Sequence, residues 1–465
     1  MGRGTIARGL TAMSNITSLA PASGSIAIDT RQRPGRRDLL RVGRISIHFF
    51  VVAVAFFALG VVAMPFVIAH VVAFFYQMMP LALVHTLTLG WITAAMMGVM
   101  YRYVPALTRH PVPYPRLAYV QFGLYVIGVS GMIAHFAIGI WSAVWLAAIV
   151  VVASVLMFAA EMIPCLWPRL GSGVAETGMF LGVCFLVLAA AIGLILGLDK
   201  TYNFLGGSVL TNLAGHVDFA ALGWVTVTIC AVSYRMLPAF LLAEIERKPP
   251  AGANWQLYSL AAGILGLGMT LIFALPGTLF WSIAIAASLL GYVGIVVQMV
   301  WAGRLPRGWT SRHTVCGILW LVIGIALGLA LAVSGAGGIA GNRIASAYGV
   351  AGLLGWVCNF IIAMSYQLFP GFVARARLIR GLPVVRAAEL SITRERPFIF
   401  IAYNLGVAMI AGGLLAGSIA FAITGAASVA AAGIVYCATT MWTLSFAYRS
   451  TIPVRSRKPG FFASL

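Results

Sequence analysis

One pattern paces the whole chain. The triplet Leu-Gly-Trp occurs as Leu89-Gly90-Trp91, Leu222-Gly223-Trp224 and Leu354-Gly355-Trp356. At matching offsets each copy continues to a Tyr (Tyr101, Tyr234, Tyr366) and then a Pro (Pro105, Pro238, Pro370). Trp91, Trp224 and Trp356 lie 133 and 132 residues apart. A repeat of this size constrains architecture before any local propensity is read, and it allows residues to be compared between copies of one chain.

The residues between the copies are those of a membrane protein. Only 9% are charged and 62% are hydrophobic, with mean hydropathy +1.00, against about 25% charged in soluble domains. At about 20 apolar residues per crossing, apolar runs read against turn signals give twelve spans. They lie near 46–69, 80–101, 119–139, 142–163, 176–197, 211–234, 256–275, 279–300, 314–334, 345–367, 398–420 and 423–446. Lipid cannot satisfy open backbone groups, so the spans read as helices. The expected fold is all-α, with twelve helices in three parallel four-helix blocks (45–165, 176–300, 314–447) about a pseudo-threefold axis. The membrane domain is 45–450, between basic tails at 1–44 and 451–465.

The net charge of +20 is spread over the tails and alternate loops (102–118, 235–255, 301–313, 371–397). That is the positive-inside pattern, which places both termini in the cytoplasm of a bacterial inner membrane. A nucleic-acid footprint would cluster on one domain, so no nucleic acid is expected as a partner. Arg36-Arg37-Asp38-Leu39-Leu40 has a twin-arginine look. No small-residue cleavage site follows it, so an uncleaved first helix is expected. The six cysteines form no C-x-x-C pair and read as packing residues.

The motif lies on helices 2, 6 and 10. Its Gly admits a neighbouring helix, its Tyr is expected in the interfacial aromatic belt, and its Pro at the helix exit. Chemistry is sought among ionisable groups, which are costly in lipid. His48, His110 and His313 read as solvated imidazoles at cytoplasmic ends. His70, His85, His135 and His216 share a depth towards the outer face, which favours a ligand site for heme or a metal. On the repeat, His85 corresponds to Asp218 and then Val350, while His216 corresponds to Leu83 and Tyr348. The two registers differ by two residues, about 200° of helix rotation, so His85 and His216 are expected to face different helix interfaces rather than to repeat one role. Asp218 and Glu161 are the carboxylates well inside apolar spans. Asp218 reads as a histidine-orienting group, a proton or cation ligand, or a locally hydrogen-bonded side chain.

Leu83-Val84-His85-Thr86 with Tyr101 and Pro105 is similar to helix 2 of subunit I of the heme–copper respiratory oxidases and nitric oxide reductases. Gly215-His216 through Gly223-Trp224 to Tyr234 and Pro238 resembles that family's helix 6. Gly352 to Trp356, ending in Tyr366 and Pro370, looks like helix 10 of the cbb3-type oxidases. The resemblance implies His85 as a low-spin heme b ligand and His216 as a copper ligand. It also implies electron transfer or handling of oxygen or nitric oxide, with a separate redox partner such as a cytochrome c. The departures are equally plain. The helix-10 His-x-His positions read Tyr348-Gly349-Val350, and 256–275 contains no His, so most ligands of an oxidase active site are missing. Tyr348 is kept as a heme-ligand candidate because tyrosinate binds heme iron; Asp218, His135 and His70 are kept as metal candidates beside His216. A weaker likeness, a His opening an apolar helix before a Gly and a distal Pro, is to the NnrS family of heme and copper proteins linked to nitric oxide metabolism. The alternative is a cofactor-free scaffold, assembly partner or proton or ion conduit built on the same fold.

Overall fold

The computed structural model describes residues 36–240, 250–302, 308–383 and 385–450. The tails expected at 1–44 and 451–465 therefore lie outside the described residues, except for 36–44. Residues 36–44 are helical and continuous with the first span. Helices are the only regular structure among the described residues. Twelve are long and apolar enough to cross a membrane: α1 Gly43–Ala73, α2 Met78–Thr108, α3 Leu117–Ala137, α4 Trp141–Arg169, α5 Val174–Tyr202, α6 Gly206–Pro238, α7 Ala253–Ile272, α8 Thr278–Trp301, α9 Trp309–Ser334, α10 Gly338–Ile379, α11 Arg396–Ala416 and α12 Ile419–Ser445. The chain is thus a polytopic helical membrane protein.

The motif helices are the inner ones. Between 67% and 72% of the most apolar stretch of α2, α6 and α10 is buried, against 44% or less for every other helix. Each widens into π-helical turns at the triplet: Thr86–Thr93, Asp218–Thr226 and Ala351–Cys358. The amides of Ala94 and Val227 reach back five residues, to the Leu89 and Leu222 carbonyls. Such turns are short, rare and concentrated at functional positions. Displaced carbonyls find partners outside the helix. Tyr125 donates to Leu89 O at 2.7 Å and Tyr403 to Leu354 O at 2.9 Å.

The triplet's glycine and tryptophan have distinct packing roles. A Cβ on Gly90, Gly223 or Gly355 would lie 2.5, 2.6 or 2.5 Å from the ring of Phe56 (α1), Phe185 (α5) or Trp320 (α9). Only glycine leaves room for that ring. The three tryptophans are fully buried. Trp91 packs against Tyr436 of α12, Trp224 against Phe158 of α4, and Trp356 against Tyr292 of α8. The tryptophans thus reach every fourth helix of the chain: α12, α4 and α8. Trp224 Nε1 also donates to Thr93 Oγ1 on α2 at 3.2 Å.

Two sequence expectations need correction. Pro105, Pro238 and Pro370 sit inside their helices, and α10 continues nine residues beyond Pro370. Proline removes one N–H but does not end a helix whose neighbours hold it. The motif tyrosines are buried rather than belted at an interface. Tyr101 donates to Gln121 Oε1 at 3.1 Å and to Glu161 Oε2 at 2.6 Å, and Tyr234 donates to Gln256 Oε1 at 2.7 Å. Gln121 in turn holds Ser154 at 2.9 Å, and Gln256 holds Ser288 at 3.3 Å. These clamps satisfy phenols that lipid could not.

Two measurements by thermal unfolding of the purified protein check this packing. Gly355→Ala forces a methyl into the Trp320 ring and is expected to cost about 1–3 kcal/mol. Gly352→Ala, one turn earlier and facing open space, is expected to change stability by no more than about 1 kcal/mol, in the favourable direction. Similarly, Tyr101→Phe is expected to cost about 1.5–3 kcal/mol by stripping Glu161 of its donor.

Candidate functional site

The candidate residues lie in the halves of the inner helices that precede the π turns. His85 closes the first segment of α2 and His216 lies two residues before the π turn of α6. Each imidazole is anchored through Nδ1. His85 Nδ1 meets Leu81 O at 2.8 Å and His216 Nδ1 meets Ala189 O on α5 at 2.8 Å. A carbonyl only accepts, so Nδ1 carries the proton and the Nε2 lone pair is left available. This is the arrangement that fixes a metal-ligating histidine, whose second nitrogen is held by a carbonyl or carboxylate.

Each ring also has a shaped seat. His85 packs against Phe136 of α3 at 5.0 Å. A Cβ on Gly193 of α5 would come within 3.0 Å of His216 Cε1. The corresponding ring in the third block is Tyr348. It sits over Gly328 of α9, where a Cβ would lie 3.1 Å from Tyr348 Cε2. The repeat correspondence between His216 and Tyr348 is thus also a correspondence of seats.

His216 meets α5 through the Ala189 carbonyl, and Asp218 lies beside the main chain of Gly268 on α7. The charges of His85 and His216 interact, as do those of Asp218 and Tyr348.

The other candidates separate from this group. His70 is exposed on the outward stripe of α1 that carries Leu59, Val62 and Phe66. His135 is half-buried and, like His85, bonds the carbonyl four residues back in its own helix, Nδ1 to Gly131 O at 2.7 Å. From α3 it is Phe136, not His135, that touches His85. Asp218 is 5% exposed, and neither carboxyl oxygen meets hydrogen-bond geometry with any described group. The main chain of Gly268 on α7 is its nearest polar neighbour. Asp218 does not orient His216. His313, expected in a solvated loop, is fully buried because α9 begins at Trp309. Its Nδ1 donates to Asn359 Oδ1 at 2.7 Å. His48 packs among the rings of Tyr119, Phe122 and Tyr448.

Among the described residues no three His, Cys, Asp or Glu side chains converge on one metal-sized point. The donor set formed by His85 and His216 is therefore two imidazoles. Imidazole nitrogens are donors that a heme iron or a low-coordinate copper ion would accept. Two of them do not complete a structural zinc site, which takes four ligands, or a calcium site, which takes six to eight oxygens.

No family model matches the chain, and no curated protein is similar to it.

Asp218 supplies a test of the site's energetics. A buried polar group without a partner carries its full desolvation penalty, and replacing it by an apolar group of similar shape removes that penalty. Asp218→Leu is expected to raise the unfolding free energy by about 1–3 kcal/mol, read from thermal melts in detergent; a fall of that size would show a partner for the carboxyl.

Proposed function

We propose that this protein is a membrane redox protein in which His85 and His216 hold a heme iron or a copper ion between α2, α3, α5 and α6. The carrying observation is the pair itself: two imidazoles on adjacent inner helices, each with Nδ1 fixed by a main-chain carbonyl and Nε2 free. The bound centre would supply one-electron chemistry, in electron transfer or in handling oxygen or nitric oxide. The chain's own residues position it. Leu81 and Ala189 fix the imidazole tautomers, Gly193 gives the His216 ring room, and Phe136 closes the apolar wall beside His85. Val350 and Tyr348 stand where the heme–copper oxidases carry their helix-10 histidines, so the reading is a divergent relative of subunit I without its complete oxygen-reducing site. Electrons would come from a separate chain such as a cytochrome c.

The Trp contacts with every fourth helix support arranging the three blocks around a pseudo-threefold axis. The distribution of Lys and Arg supports placing both termini in the cytoplasm of a bacterial inner membrane. A second reading, a cofactor-free scaffold or ion conduit, draws on Asp218, whose orphaned carboxyl is otherwise an unexplained cost.

An absorption spectrum of the purified protein, oxidised and then reduced with dithionite, separates the two. The redox reading expects a Soret band that shifts on reduction, or a Cu(II) paramagnetic signal with imidazole nitrogen couplings, and expects His85→Ala to abolish it. Protein with neither signal, in which His85→Ala alters ion flux instead, belongs to the second reading.

A further inference from the structure

The two clamps described above give an internal standard for the third block, and the third block departs from it. Ser154 Oγ donates to the Gln121 carbonyl at 3.1 Å, and Ser288 Oγ to the Gln256 carbonyl at 2.8 Å. In α11 and α12 the register is set by Gly406 against Val429, as by Gly128 against Val151 in α3 and α4, and by Tyr403 on the Leu354 carbonyl, as Tyr125 on that of Leu89. Ile399 and Ala432 therefore occupy the places of the glutamine and the serine. With no amide there, the hydroxyl of Tyr366 is buried without a partner.

Beside that hydroxyl, a cleft opens between α10, α11 and α12 at the end of the bundle where the basic loops lie. It is lined by Ser365, Tyr366, Ser391, Arg396 and Thr440, among others. The Arg396 guanidinium lies over the Tyr366 ring at 4.1 Å, and its Nε is buried without a partner. Arg396 also opens α11, so the positive end of the helix dipole lies at the same place. Glu395, the nearest carboxylate in sequence, is not among the lining residues. The cleft thus joins a cation, a helix start and a phenol that is 9% exposed with its hydroxyl unsatisfied.

We propose that this cleft binds a phosphate group, with Arg396 and the Tyr366 hydroxyl as its donors. Arginine matches phosphate through charge-assisted, geometrically fixed hydrogen bonds, and a phosphate oxygen is the acceptor that Gln121 and Gln256 supply in the other two blocks. The phosphate belongs either to an anionic lipid headgroup of the adjoining leaflet or to a free anion.

Binding of short-chain phosphatidylglycerol and of inorganic phosphate to the purified full-length protein tests the assignment. Wild-type protein is expected to bind at least one probe: both if a free phosphate suffices, phosphatidylglycerol alone if the headgroup is required. Arg396→Gln is expected to weaken binding by about tenfold or more, and Arg396→Lys to keep part of the affinity. Ile399→Gln rebuilds the clamp of the other blocks and occupies the Tyr366 hydroxyl. It is expected to lower affinity severalfold while leaving the melting temperature unchanged or higher, so it carries the test even if Arg396→Gln fails to fold. Wild-type protein that binds neither probe overturns the proposal, as does wild-type affinity in Ile399→Gln.

Discussion

Everything in this bundle depends on satisfying polar groups where lipid offers no partner. The inner helices meet that demand in an unusual way, because each opens into π turns at Leu-Gly-Trp. The widened turn displaces carbonyls that ordinary helix geometry would pair, and neighbouring tyrosines take up two of them at Leu89 and Leu354. The glycine admits an aromatic ring from the first helix of the block, and the tryptophan reaches α12, α4 or α8. One local distortion thus fixes contacts in three directions. The whole motif is needed, since a side chain on the glycine would displace that ring.

Having placed the inner helices alike, the repeat lets their chemistry diverge. The two registers carry Leu83 and His85 in the first copy, His216 and Asp218 in the second, and Tyr348 and Val350 in the third. The tyrosine clamps at the basic end differ in the same way: two copies are closed by glutamine, and the third has Ile399 in that place. Identical seats with different occupants are what a duplicated scaffold allows, because packing residues and chemical residues occupy different faces of each helix.

Much of the fold was legible in the sequence, for identifiable reasons. The twelve spans follow from hydropathy. The π turns were not legible, because one extra residue per turn has no composition of its own. Pro370 was read as a helix end because local propensity carries no information about neighbours that hold a helix past a missing N–H. His313 was placed in a loop by its basic surroundings, although α9 begins four residues before it. The clamps did leave a sequence signal: a glutamine follows Tyr101 and Tyr234 at similar distances and is missing after Tyr366.

The most direct measurement is the iron and copper content of purified protein from wild type and from single alanine variants of His85, His216, His135 and His70. The account predicts close to one bound metal per chain in wild type, lost in His85→Ala and in His216→Ala and retained in the other two variants. Metal-free wild-type protein, or metal lost only with His135 or His70, would contradict it.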